Sequence, residues 1–436
     1  MALKHQTIEI QELQIYSILD LSKQRHPKRN VSRQSGAERA YPERTMKTTI
    51  ACSMLLALTL LAHTTLAASS LSTLITFNGS NGSNPSFIIQ GSDGNFYGVT
   101  QDGGSSPNCN GSEFSPNGGC GTMFQITPAG TLKTLYSFSG TDGAFPIGAL
   151  LEATPGACPT MCFYGTTLLG GASNVGTTFE FTMQSGSSGT LQVLHQFSGD
   201  DGSWPAGGLA LFPDGNLYGV SSFGGVYGHG NIYRMSPDGS TKTVYSFLGG
   251  AKGAQPTANL VVCGKSLVGT TTGGAGGTLF AFNPITDVLT ILLKFDGSDG
   301  SVPCAPIYDA SGVFYGTTAA GGAYNDGTVW KYNSNALTDL YDFDFPGTPT
   351  VSPGSCSQPV KSGSLLYGIT NAGGAFNAGI VYSVETNGGD YKVLFTFDGA
   401  DGKFPYGIIQ GSNGAFYGTT YYGGSANQGT VFRLVM

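Results

Sequence analysis

The sequence predicts an all-β fold, a seven-bladed β-propeller whose N-terminal strand completes the last blade and closes the ring. Among 436 residues 68 are Gly and 21 are Pro, and only 11% are charged, where an average domain has about 25%. That composition excludes helical bundles and coiled coils. Hydrophobic residues at 40% and aromatics at 11% exclude a disordered chain. One phrase recurs seven times at intervals of about 50 residues, the length of a four-stranded blade and too long for one coil of a β-solenoid. Finally, the repeat region opens on the one strand type that its last repeat lacks.

The N-terminus reads as an address. Positions 1–45 hold 8 of the 20 Lys and Arg residues; this segment is read as a mis-assigned start or a disordered leader, because a secretory n-region is normally short. Met46-Lys47-Thr48-Thr49 precedes an apolar run from Ile50 to Ala62, and Thr65-Leu66-Ala67 offers small residues at both positions of a cleavage site. The run is shorter than the roughly 20 residues that span a bilayer. Residues 46–67 are therefore expected to be a signal peptide cut near Ala67, and residues 68–436 a secreted or periplasmic propeller without a membrane span. From Ala68 onward there are 11 basic and 22 acidic side chains, a net of −11. No basic stripe remains to neutralise phosphates, which excludes nucleic acid as a partner.

The repeated phrase reads FYGVTQDGG at Phe96, FYGTTLLGG at Phe163, LYGVSSFGG at Leu217, LVGTTTGG at Leu267, FYGTTAAGG at Phe314, LYGITNAGG at Leu366 and FYGTTYYGG at Phe416. A Gly-led strand follows in every copy, with an aromatic at one place: Phe124, Phe179, Tyr233, Phe280, Trp330, Tyr382 and Phe432. A third phrase like TLYSF ends in Phe77, Phe138, Phe197, Phe247, Phe295, Phe343 and Phe397. A turn, usually a Pro, and a short apolar strand come after it. Each repeat thus offers four short strands separated by turn signals. The chain opens on Thr73–Phe77, a TLYSF-type strand, and stops on the Gly-led strand at Gly429. If the two pair, the seventh blade is complete and no edge strand is left open to aggregate. The fourth repeat has Val268 in place of Tyr and the shortest loop, so its contacts are expected to be the weakest.

With Cys52 removed in the signal peptide, seven cysteines remain in a compartment that permits disulfides. Cys109 and Cys120 bracket a long loop, and Cys158 and Cys162 flank a hairpin turn; both pairs are expected local staples. Cys304 and Cys356 each lie 11 residues before a repeat Tyr, equivalent places in adjacent blades, and form a candidate bridge between the fifth and sixth. Cys263 is left over. No Cys-x-x-Cys pair favours a metal.

Chemistry is sparsely supplied. After signal cleavage only His195 and His229 remain; His195 aligns with Tyr136, Tyr245, Leu293, Tyr341 and Phe395, which makes it a packing position. Asn174, Asn325, Asn377 and Asn427 share one loop position, but the third repeat has Gly228 there. Asn and Gly have tolerance of positive φ in common, so a tight turn is expected. Paired carboxylates in one turn, Asp296 with Asp299 and Asp398 with Asp401, are a candidate Ca²⁺ site. The equivalent turns use Asn81 and Lys252, so the turn itself does not need a carboxylate; no other cofactor is expected. No nucleophile elbow, phosphate loop or zinc-protease motif occurs. The residues that vary most are the two before each Gly-Gly, placed by symmetry on one rim. Tyr421, Tyr422, Phe223, Asn371 and Asp102 among them, with Tyr227 nearby, are the candidate ligand contacts, a composition suited to stacking on sugars or packing on a protein.

Read together as Tyr-Gly-Thr-Thr-x-x-Gly-Gly-x-x-x-x-Gly-Thr-Val-Phe followed by Leu-Tyr-x-Phe, the repeat resembles the GloVer tandem repeat family of exported bacterial proteins, over Thr73 to Val435. Its Gly-Gly doublets are more loosely similar to kelch propellers. The resemblance implies export and carries over no catalytic residues. Members often have a C-terminal sorting segment; here the sequence ends inside the last strand, which implies a soluble periplasmic or released protein, expected to be a monomer. The favoured function is a non-enzymatic binding or scaffold propeller that recognises a glycan or a protein. The alternative is a polysaccharide-active hydrolase or lyase with acidic residues at the propeller mouth.

Overall fold

Tyr-Gly-Thr-Thr and Gly-Thr-Val-Phe are rich in the β-branched and aromatic residues that pack well on a pleated surface, and they form the two middle strands of seven antiparallel sheets. A computed structural model describes residues 69–436 except 110–116, 154–157, 159, 185–188, 275 and 346–356. The expected leader and signal peptide lie outside the described residues. The sheets are the blades of a seven-bladed propeller. The first blade runs from the axis outward as Ser83–Gln90, Phe96–Asp102, Thr122–Ile126 and Leu132–Ser137. The seventh runs as Lys403–Gln410, Phe416–Tyr422, Thr430–Val435 and then Ser70–Thr76, from the opposite end of the chain. Ser70–Thr76 pairs antiparallel with Thr430–Val435, Ser70 opposite Val435 and Thr76 opposite Thr430. The expected closure is therefore present.

The recurring Gly and aromatics turn out to be cross-strand pairs. Gly98 lies opposite Phe124, Gly165 opposite Phe179, and the same pairing holds through Gly418 and Phe432 in all seven blades. The far end of each aromatic ring lies against its Gly. A Cβ there would come within 2.3–2.7 Å of the ring, far inside contact distance. Each ring also meets the Phe that ends the outer strand of the preceding blade. Phe77 meets Phe124, Phe138 meets Phe179, Phe197 meets Tyr233, Phe247 meets Phe280, Phe295 meets Trp330, Phe343 meets Tyr382 and Phe397 meets Phe432, with centroids 5.0–5.6 Å apart. Such tilted pairs contribute about 0.5–1.5 kcal/mol each beyond their buried area. Repeat Tyr residues add further contacts between blades, as in Tyr97 on Phe163 and Tyr367 on Phe416.

Each outer strand carries a one-residue bulge opposite its neighbour. The extra residue is Leu74, Leu135, Leu194, Val244, Leu292, Leu340 or Leu394; a bulge bends the strand and increases its twist, as a blade needs. The Thr-Thr phrase is also explained. The second Thr bonds the Thr that opens the third strand, as in Thr167 with Thr177 and Thr420 with Thr430, both 2.8 Å. The first reaches the next blade, as in Thr166 Oγ1 donating to Gly207 O at 3.0 Å and Thr270 Oγ1 to Cys304 O at 3.2 Å. In the fourth blade Val268 is buried against Phe314 and Trp330 of the fifth, so a branched aliphatic fills the place of the Tyr.

Candidate functional site

The inner strands leave a cavity of ≈ 430 Å³ at the axis, lined from all seven blades. Phe87, Ile147 and Ala206 come from the first three blades, Gln255, Thr257 and Asn259 from the fourth, Val302 and Cys304 from the fifth, Gln358 from the sixth and Tyr406 from the seventh. The volume is typical of small-ligand sites. No described lining residue is charged. Two of the amides are half engaged by the protein, since Asn259 Oδ1 accepts from Gly208 N at 2.5 Å and Gln358 Nε2 donates to Pro306 O at 2.7 Å. Each keeps its opposite function for a ligand, and the side chain of Gln255 faces the same space. Burial raises the Tyr406 hydroxyl above its usual pKa, offset in part by a hydrogen bond to Gln101, so Tyr406 is a neutral donor at any physiological pH.

The mouth of this cavity stores backbone strain. Asn84, Phe145, Trp204, Gln255, Val302 and Phe404 have φ between 55° and 57°, the left-handed region, which is costly for aromatic and β-branched residues. Each precedes a Pro. Each N–H donates to the loop carbonyl of the preceding blade: Asn84 to Gln428, Phe145 to Cys120, Trp204 to Val175, Gln255 to His229, Val302 to Gly276 and Phe404 to Ala378, at 2.8–3.1 Å. The residue that follows each carbonyl is the Gly opening the third strand, and the next blade's Pro packs on it. One repeated latch thus joins neighbouring blades and presents a different side chain from each.

Aromatic rings continue from the cavity to the rim at the junction of blades seven and one. Phe87 meets Tyr406 at 5.2 Å, Tyr406 stacks near Tyr421 at 6.2 Å, Tyr421 meets Tyr422 at 4.7 Å and Tyr422 meets Phe404 at 6.1 Å. The Tyr421 hydroxyl donates to Gln101 Oε1 at 3.3 Å, and Asn84 Nδ2 donates to the Tyr421 carbonyl at 3.1 Å. The structure therefore brings together Tyr421 and Tyr422 of the sequence-derived candidates and adds Phe87, Phe404 and Tyr406. Asp102 lies fully buried near both tyrosines, whose hydroxyls it helps to raise after burial itself. Phe223 is half-buried and its ring meets Trp204 at 5.2 Å. Tyr227 stands exposed on its loop, as do Tyr324 and Phe376 at the equivalent tips. Asn371 is separate from the cavity and helps to line a water-sized space of ≈ 20 Å³ between blades five and six.

The Asp-Gly turns are built on their own side chains. Asp299 Oδ1 accepts from Asp296 N at 2.9 Å and Asp401 Oδ1 from Asp398 N at 3.1 Å, while Asp296 and Asp398 each accept from the turn's later N–H groups. Asn81 Oδ1 accepts from Asn78 N in the same way at 2.9 Å, which is why Asn serves there. His195 fills a packing position with a polar tip: its ring lies 4.8 Å from Phe197, and Nε2 bonds Asp201 at 2.8 Å, as the Tyr136 hydroxyl bonds Asp142. Asn174, Asn325, Asn377 and Asn427 all have positive φ, 49–63°. Their side-chain oxygens accept from the first Gly of each doublet, so they form turns, as expected.

Partial burial, then repulsion from Asp342, Asp299 and Asp296, pushes the Asp339 carboxyl up to about 6. Its folded pKa lies above its unfolded value of about 3.9, so ionisation works against the fold. Stability is full below the unfolded value and declines as pH rises through about 6. Asp339→Asn should raise the melting temperature at pH 7.5, with the difference from the parent vanishing near pH 4. Thermal scans across that range check it, and an equal difference at both ends would contradict it.

Cys109–Cys120 and Cys158–Cys162 are disulfides, as expected. Cys304 is disulfide-bonded as well; its expected partner Cys356 lies outside the described residues. Cys263 is a free thiol. Among the described residues one set of three candidate metal ligands converges, Cys158, Cys162 and Glu180, and its two sulfurs are bonded to each other. No helix among the described residues is long and apolar enough to cross a membrane.

A family model described as the Gloeobacter/Verrucomicrobia repeat matches residues 60–277 and 274–436. No curated protein sequence matches the chain. Among solved structures it is similar to the extracellular domain of a protein assigned as a hybrid two component system from B. thetaiotaomicron, with 10% identity and a TM-score of 0.51, over 81% of this chain and 40% of that one. It also matches TolB from Acinetobacter baumannii (16% identity, TM-score 0.39, 62% of this chain and 58% of that one). A gluconolactonase from Xanthomonas campestris matches at 11% identity and a TM-score of 0.42, over 85% and 92% of the two chains. At these identities the likeness concerns the fold alone.

Proposed function

The chain belongs to the Gloeobacter/Verrucomicrobia repeat family, and from that premise we propose that it is an exported, non-enzymatic propeller that binds a carbohydrate in its axial cavity. The observation that carries this reading is the lining. Phe87 and Tyr406 offer apolar ring surface, Gln255, Asn259 and Gln358 offer amides, and no described lining residue brings a charge. Neutral polar groups beside aromatic faces suit the alternating C–H and hydroxyl surfaces of a sugar. The same lining supports recognition over turnover, because hydrolysis or elimination at a glycosidic bond needs carboxylates or another proton-transfer group at the reacting atoms. The disulfides support an extracellular or periplasmic setting.

The experiment is a glycan panel read by calorimetry and by product analysis. Binding without product is expected. The Tyr421→Ala, Tyr422→Ala double variant and Gln255→Ala should each weaken binding by about tenfold or more, the range of contact-centre truncations. Binding that both variants leave intact would remove the cavity from the function, and released product would favour the hydrolase or lyase.

A further inference from the structure

Resting on the carbohydrate reading, we infer that the ligand is an acidic glycan that enters over the seventh blade, with an anionic sugar outermost at Lys403 and uncharged sugars inward along the aromatic rings to the cavity. Lys403 opens the inner strand of blade seven, where the equivalent residues are Ser83, Ala144, Ser203, Ala254 and Ser301. It is the one charge at that end of the described inner strands. Its Nζ lies 4.6 Å from the centroid of Phe404, and in register it faces Tyr422. Lys361 and Lys392 are paired with Asp309 and Asp390, whereas Lys403 makes no ion pair among the described residues. The ring holds the ammonium in place, and with no carboxylate partner among the described residues its charge is available to a ligand anion.

The polarity of the track follows from what lies beneath it. Beneath its inner half lie the rings of Tyr421 and Tyr422, which offer a ligand carboxylate no cation. One placed over Phe404 would meet Lys403 instead. The cavity beyond has hydroxyls and amides but no described charge, so it suits a neutral sugar. The rings are held ready, with Tyr421 fixed by Gln101 and Asn84.

The test uses the exported chain with two ladders, cello-oligosaccharides of two to six residues and the same ladder ending in one glucuronosyl residue. The capped ladder is expected to bind roughly three- to tenfold more tightly at low salt, the range of a partly exposed charge pair, and the preference should shrink as salt rises. Lys403→Gln should abolish the preference, whereas Lys392→Gln should keep it. Tyr422→Ala should remove the gain in affinity with length, and Tyr422→Phe, which keeps the ring, should restore it. Equal binding of both ladders, a preference that survives in Lys403→Gln, or no binding of either ladder overturns the inference. Gln255→Ala separates the two levels: if it leaves both ladders unaffected, the cavity reading has failed, whatever Lys403 does.

Discussion

Phe77→Ala is expected to cost about 3–5 kcal/mol of stability, the range for truncating a buried aromatic, and to free the N-terminal strand from the ring. Phe77 is fully buried in a cluster that spans both ends of the chain, with Ile88, Phe96 and Phe124 of the first blade and Tyr417 and Val431 of the seventh. It is the one member of the seven Phe–aromatic contacts supplied by the N-terminal segment. Elsewhere the outer strand of a blade is joined to its third strand by a continuing hairpin; here Ser70–Thr76 runs on into the first blade and is held to Thr430–Val435 by hydrogen bonds and packing alone. Phe247→Ala removes an equivalent ring, 5.3 Å from Phe280, inside the chain and serves as the comparison. Both variants should unfold at lower denaturant. Only Phe77→Ala should also expose Ser70–Thr76 to limited proteolysis under native conditions. Equal proteolysis of the two variants would show that closure does not depend on this contact.

The fold was readable because its determinants are local and repeated. Seven copies of Tyr-Gly, of a third-strand aromatic and of a terminal Phe mark the blades, and the missing strand of the last copy is present at the start. What those residues do was not readable. That Gly98 lies under Phe124, or that Phe138 crosses to Phe179 in the next blade, depends on register and on the bulge at Leu135, which no residue type announces. The candidate site was legible only at its outer end. Tyr421 and Tyr422 were visible because they vary beside a fixed Gly-Gly. Phe87, Gln255 and Tyr406 sit within two residues of the recurrent Pro and carry no such mark, because a Pro in a turn reads as punctuation. Placed on the channel wall, the variation around that Pro becomes the composition of the cavity. Asp102 shares the rim position of Tyr422 in sequence, yet its side chain is buried, as alternation along a strand requires for one residue of each adjacent pair.

Gly429→Ala is the second variant with a large expected effect, and Gly79→Ala is its control. Both glycines have left-handed φ, 94° and 87°, and Ala in that region costs about 1–2 kcal/mol. Around Gly79 the space is open, with nothing within 4 Å of an added Cβ, so strain should be the whole effect. At Gly429 the same Cβ would lie 2.4 Å from Pro85 Cδ, across the seam in the first blade, and 2.5 Å from Thr420 O. Overpacking of this kind adds about 1–3 kcal/mol. Gly429→Ala should therefore unfold at clearly lower denaturant than Gly79→Ala. Pro85→Ala in the Gly429→Ala background should recover part of the difference, because removing the ring relieves the crowding while the Asn84 N–H keeps its bond to Gln428 O at 2.9 Å. A double-mutant cycle measures that coupling. If the two Gly variants unfold alike, the Gly–Pro contact is incidental and the latch rests on the backbone hydrogen bond alone; if they differ and the cycle couples, the Gly that opens each third strand is kept so that the next blade's Pro can lie against it.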